Sequence, residues 1–122
     1  MARWQIGAIS LDCADHKQLG IFYSRLLDTD IVYETDEFCA LRVGALLLAL
    51  KRVPSYSSPA WPDPSRPQQE HFDFAVDDLD TAEAAALEAG ASKATVQPAP
   101  NNWRVMLDPA GHPFCLNAHI PG

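Results

Sequence analysis

The sequence predicts an α+β protein built from two βαβββ modules, and three observations carry that reading. Two helix-like segments with capping residues at their starts are each preceded by one strand-like run and followed by three. Between the two sets lies "RVPSYSSPAWPDPSRPQQ", residues 52–69, whose five prolines exclude a regular helix or a central strand. The halves also match when overlaid. An offset of 63 sets Asp15 on Asp78 and Leu11 on Phe74, each pair at a helix start or strand end.

Each element follows from its letters. "RWQIGAISLDCAD" alternates well enough for a strand, with Ile6, Ala8 and Ser10 on one face and Ile9 and Leu11 on the other. Asp15 has the position and chemistry of a helix N-cap. After it, Leu19, Phe22, Tyr23, Leu26 and Leu27 recur at the spacing of an amphipathic helix lying on a sheet. "DIVYE", "FCALRV" and "LLLALKR" then read as a three-stranded meander, broken at Asp36–Glu37 and Gly44–Ala45.

In the second half "EHFDFAV" alternates strictly, and "DDLDTAEAAALEAGA" is a helix capped by Asp78 or Asp80 and stopped by Gly90. Asp80 and Glu83 have capping-box spacing. "KATVQ", "NWRVML" and "PFCLNA" are strand-like. These boundaries put module 1 at about 4–52, an ordered linker at 53–69 and module 2 at about 70–119, within a single domain. Aligning Gly44 with Gly111 gives an offset of 67 for the last strands and makes Ala8, Leu48, His71 and Cys115 quasi-equivalent.

Bulk properties narrow the function. A net charge of −7, with nine scattered Lys and Arg residues, disfavours phosphate backbones and anionic membranes. No segment approaches the roughly 18 apolar residues of a membrane span, and the N-terminus lacks a signal-peptide pattern, so the expected location is cytoplasmic. Cys13, Cys39 and Cys115 are odd in number and widely spaced, which fits thiols in a reducing compartment.

Three segments, "LDCADHKQLGIFYSRLL", "HFDFAVDDLDTAEAAALEAGA" and "LDPAGHPFCL", resemble the vicinal oxygen chelate superfamily of glyoxalase I, bleomycin-resistance proteins, fosfomycin-resistance enzymes and extradiol dioxygenases. The likeness spans nearly the whole chain and is closest to glyoxalase-like domain proteins. It implies modules whose curved mixed sheet surrounds a cleft for a small molecule, and a homodimer. In metal-dependent relatives the ligands come from first and last strands. Carried over, those positions are Ala8, Leu48, His71 and Cys115, with Cys115 standing where relatives carry Glu. Ala8 and Leu48 cannot ligate, so the expectation is a degenerate metal site with no cofactor.

If a divalent metal binds at all, its ligands are His71, Asp73 and Cys115, Asp73 entering by strand alternation from His71. Asn117 shares a face with Cys115 by the same rule. His71 is read as a ligand-binding or acid-base group rather than a cavity-wall histidine, and Cys115 as small core filler rather than a nucleophile. His112 caps or braces the last hairpin.

Arg42 and Arg104, as strand cations, could meet an anionic ligand group, although solvated strand faces are commoner. Trp61 and Trp103 offer flat walls for an aromatic molecule, with sealing a seam as the equal alternative for Trp61. The expected function is binding of a small aromatic or hydrophobic molecule without metal-dependent catalysis. The alternatives are a Zn- or Fe-dependent lyase, isomerase or dioxygenase, and a metal-free acid-base enzyme centred on His71.

Overall fold

A computed structural model of the chain describes residues 4–65 and 71–119. Its internal contacts divide it into two units, Met1–Ser57 and Ser58–Gly122. The last part of the proline-rich linker, residues 66–70, lies outside the described residues.

In the first unit β1 (Ala8–Cys13) leads into α1 (His16–Leu27), followed by β2 (Ile31–Glu34), β3 (Phe38–Val43) and β4 (Leu46–Arg52). Asp15 caps α1 as its sequence position predicts: its extended backbone turns the carboxylate back to accept from the N–H groups of Lys17 and Gln18, both at 3.1 Å. Leu19, Phe22 and Tyr23 form the buried stripe of the helix, which packs on β3 and β4. Against them lie Leu41, Leu48 and Leu50, each nearly or fully removed from water and each worth about 1.5–3 kcal/mol of burial. His16, also buried, fastens the start of α1 to the β2–β3 turn through Nε2, 2.8 Å from the Thr35 carbonyl.

The sheet order is β1-β4-β3-β2, with β1 and β4 parallel and the other pairs antiparallel. Joining parallel neighbours requires a crossover, which the helix and two intervening strands supply.

The second unit repeats this plan. It contains β5 (Phe72–Ala75), α2 (Leu79–Ala89), β6 (Ser92–Lys93), β7 (Trp103–Leu107) and β8 (Pro113–Asn117), in sheet order β5-β8-β7-β6 with β5 and β8 parallel. Met106 and Phe114 are fully buried and Leu116 nearly so, and Phe74 meets Phe114 edge-on with ring centroids 5.6 Å apart. Each unit is thus a βαβββ module carrying one helix and one mixed four-stranded sheet.

The structure settles which residue caps α2 and corrects three further details. Asp78 caps α2, accepting from the Thr81 N–H at 2.8 Å and the Thr81 hydroxyl at 2.6 Å, and these bonds hold its carboxyl below the usual range. Asp80 and Glu83 therefore form no capping box. Both pair with Arg104 on β7, at 2.6 and 3.4 Å.

"KATVQ" is not a strand. The strand ends at Lys93, the Ala94 N–H still donates to the Val105 carbonyl at 3.1 Å, and the Gln97 side chain then takes over, its amide donating to Val105 O at 2.7 Å while its Oε1 accepts from Val105 N–H at 2.9 Å. Pro98 and Pro100 follow and have no N–H to continue the pairing.

Quasi-equivalence changes as well. Ile9 pairs with Leu48 in the first unit, and Phe72, its counterpart at offset 63, pairs with Phe114. Leu48 therefore corresponds to Phe114 on the buried face, and Cys115 corresponds to Ala49. A glycine alignment misses this because the two hairpin loops differ by one residue in their relation to the strands that follow.

No helix among the described residues is long and apolar enough to cross a membrane.

Candidate functional site

The site grows from strand alternation on two parallel neighbours. Register places Phe72 beside Phe114 and Asp73 beside Cys115. Phe114 and Leu116 share their face with Met106 and with Arg104, whose guanidinium reaches α2, so that face is the one the helix covers. His71, Asp73, Cys115 and Asn117 consequently turn to the opposite face.

His71 Nε2 stands 3.2 Å from Asp73 Oδ2, with the two side chains 32% and 46% exposed. The ligating atoms of His71, Asp73 and Cys115 all lie within 4.8 Å of one another. Burial pushes the Cys115 thiol up to about 11, helped by the negative charge of Asp73 and a hydrogen bond to it. At neutral pH Cys115 is therefore a protonated thiol facing a carboxylate, which makes it a poor nucleophile. The three cysteines form no disulfide.

The remaining predicted residues are distributed more widely. Asn117 Oδ1 accepts from the His119 N–H at 2.8 Å, so its side chain closes the end of β8 as well as lining the face. Trp103 pairs with Asn117 across the β7–β8 ladder and is 36% exposed. Trp61 is half-buried in the turn closed by the Asp63 N–H on the Ala60 carbonyl, at 2.7 Å. Arg42 is an exposed residue of β3, in the first unit. Arg104 is not available to a ligand anion as the sequence suggested, because Asp80, Glu83 and the Pro100 carbonyl already engage its guanidinium.

One shaping residue escaped the sequence reading. Asp108, 4% exposed, accepts from the N–H groups of Ala110 and His112, each at 2.9 Å, and so builds the turn that delivers Cys115 to its position. His112 contributes to this brace through its backbone, its carbonyl accepting from the Asp108 N–H at 2.9 Å. The signal was present in "DPAGH", an Asp at the head of a tight turn, whose carboxylate commonly accepts from N–H groups further along. Gly111 completes the turn at φ +88, where a Cβ would lie 2.7 Å from that of Ser58.

Comparison with known proteins now decides the lineage. A sequence model described as the glyoxalase-like domain matches residues 8–117. The chain belongs to the glyoxalase-like domain family. No protein of curated function matches this glyoxalase-like sequence.

Solved structures share its fold at low identity. Fosfomycin resistance protein FosX from Mesorhizobium loti aligns with a TM-score of 0.72 at 15% identity, covering 98% of this chain and 94% of its own. Lactoylglutathione lyase from Agrobacterium tumefaciens gives 0.64 at 20% identity, covering 96% and 95%. A mutant FosX from Listeria monocytogenes, complexed with Mn(II) and a dihydroxypropylphosphonic acid, gives 0.71 at 13% identity, covering 98% and 93%.

The donors in this glyoxalase-like chain differ from what a hard cation takes. Magnesium and manganese prefer a shell of oxygens, whereas the cluster offers one imidazole, one carboxylate and one thiol.

Proposed function

We propose that this glyoxalase-like protein binds a small aromatic or hydrophobic organic molecule against the open face of its second sheet. The observation that carries this reading is the convergence of three partly exposed polar side chains, His71, Asp73 and Cys115, on one rigid face that also holds Trp103 and Asn117. A few convergent polar groups beside an aromatic surface are the usual make-up of a small-molecule site. The polar cluster would orient the ligand, and the Trp103 indole would stack on it. The protein would work in the cytoplasm as a homodimer, in keeping with its three unbridged cysteines and the habit of its superfamily.

The test is Trp emission during titration with a panel of aromatic metabolites, read for wild type and Trp103→Phe. Saturable quenching that disappears in the variant is expected. A panel that leaves Trp103 emission unchanged overturns the proposal. Sedimentation velocity tests the dimer.

The 3.2 Å contact between His71 and Asp73 favours one second reading, metal-free acid-base chemistry. A carboxylate held against one ring nitrogen orients the imidazole and fixes which nitrogen exchanges a proton with a substrate. Turnover of a bound ligand that vanishes in His71→Ala would support this reading, and binding without any turnover would dismiss it.

A further inference from the structure

We propose that the ligand of the second unit's open face is a protonated aromatic amine, whose ammonium group pairs with Asp73 and whose ring stacks on Trp103. This inference rests on the reading that the face binds a small aromatic molecule. It adds the sign of the ligand's charge and the residue that meets it.

Charge supplies the first argument. His71, Asp73 and Cys115 converge on the face, and burial beside Asp73 keeps the Cys115 thiol protonated. With a neutral imidazole, the net charge of the cluster is that of the Asp73 carboxylate. Among the described residues of the second unit the only Lys and Arg are Lys93 and Arg104. Acids of α2 hold both: Glu83 takes Lys93 at 3.1 Å and Arg104 at 3.4 Å, and Asp80 takes Arg104 at 2.6 Å. Neither offsets the charge of Asp73.

Exposure supplies the second. Asp73 keeps 46% of its side-chain surface although the His71 ring stands 3.2 Å away. A carboxylate offers about four lone-pair sites, so an ammonium can join the imidazole and the thiol without displacing either. A hydrogen bond between two ionised groups is roughly twice as strong as a neutral one, which favours an amine over an alcohol of the same shape. A ligand carboxylate would meet repulsion from Asp73 and from a chain of net charge −7.

Register supplies the third. Strand β8 separates β5 from β7, with Asp73 beside Cys115 and Trp103 beside Asn117, two residues further along β8. Two strand spacings and two residues of rise put the Asp73 and Trp103 Cα atoms about 12 Å apart. The Trp103 backbone is fixed by its ladder pairing and by its N–H on the Ala99 carbonyl at 2.9 Å, and its side chain is partly exposed. A compact cation such as methylammonium meets only one of these anchors. A ring joined to an ammonium by a chain of several carbons spans both.

The experiment titrates the full chain at pH 8, where a free imidazole is neutral and an alkylamine is protonated. The probes are ω-phenylalkylamines from ethyl to hexyl, with the alcohols and carboxylates of the same lengths, followed by calorimetry and Trp emission. The longer amines should bind about tenfold more tightly than their alcohols, and the carboxylates most weakly. Added NaCl should shrink the amine advantage, because Asp73 is half-exposed. In Asp73→Asn the amines should fall to the affinity of the alcohols, while Asp73→Glu restores the preference. Trp103→Ala should weaken amines and alcohols alike. Circular dichroism verifies that each variant is folded, and the length series and salt dependence need only wild type.

Amines and alcohols of equal affinity overturn the charge assignment, as does a carboxylate that binds most tightly or an amine preference that survives in Asp73→Asn. All three outcomes leave aromatic binding standing. Neutral aromatic metabolites that quench Trp103 while every amine fails to bind sink the amine alone. Silence from all of these probes sinks both readings.

Discussion

Replacing Asp73 by Asn removes the negative charge that sits against the Cys115 thiol, and the consequence can be worked from the structure. Burial and Asp73 together raise this thiol from 9.0 to about 11, a hundredfold loss of thiolate at neutral pH. The charge acts to keep the proton on sulfur, so its removal must lower the thiol pKa and enlarge the thiolate population. Burial, the largest cause, stays in the variant, so only part of the hundredfold is recovered.

Reactivity grows by less than the population does. A less basic thiolate attacks more slowly, with a Brønsted slope of roughly 0.4–0.5, so full recovery would speed alkylation about tenfold. The expected gain for Asp73→Asn is therefore about two- to fivefold. The assay is alkylation of metal-stripped protein by iodoacetamide near neutral pH, followed at the Cys115 peptide by mass spectrometry. Cys39, fully buried and also raised to about 11, serves as an internal control whose rate should not change. An unchanged or slower Cys115 rate in the variant would refute the assigned role of Asp73.

Two further predictions concern the elements that shape the site. Gly44 and Gly111 both sit at positive φ, but a Cβ would meet open space at Gly44 and the Ser58 side chain at 2.7 Å at Gly111. Urea denaturation should show Gly44→Ala costing about 1–2 kcal/mol and Gly111→Ala about 3 kcal/mol, because overpacking adds to the backbone strain. Equal losses would show that the Ser58 contact is relieved by a small shift. Gln97→Leu removes the Oε1 that accepts from the N–H of Val105, a residue only 2% exposed, while the Val105 carbonyl keeps the Ala94 N–H at 3.1 Å. It should cost about 1–3 kcal/mol by the same measurement, and a neutral result would mean that another group pairs the freed backbone.

Much of the fold could be read from local pattern because local physics decides it. The α1 stripe, the Asp15 cap, the Gly90 stop and seven of the strands are short-range features, set by side-chain spacing, capping chemistry and backbone freedom. The reading failed where a side chain did the work of a backbone. Gln97 substitutes for strand pairing, and Arg104 draws Asp80 and Glu83 into an ion cluster that spacing alone presented as a capping box. It failed again at Leu48, because the glycine alignment carries no information about strand register, and a shift of one residue moves a side chain to the opposite face.

For the candidate site, the sequence by itself determined which residue types are present and, through strand alternation, that His71 and Asp73 share a face and that Cys115 and Asn117 share one. Whether these two pairs meet depends on β5 and β8, separated by some forty residues, becoming parallel neighbours in one particular register. Only the tertiary structure decided that register, which is set by the packing of the Phe72, Phe74 and Phe114 rings against one another on the helix side, with Phe114 fully buried, and which leaves the polar residues facing the other way. The 3.2 Å between His71 and Asp73 and the carboxylate beside the Cys115 thiol follow from that packing, since contacts across the chain have no local signature in the letters.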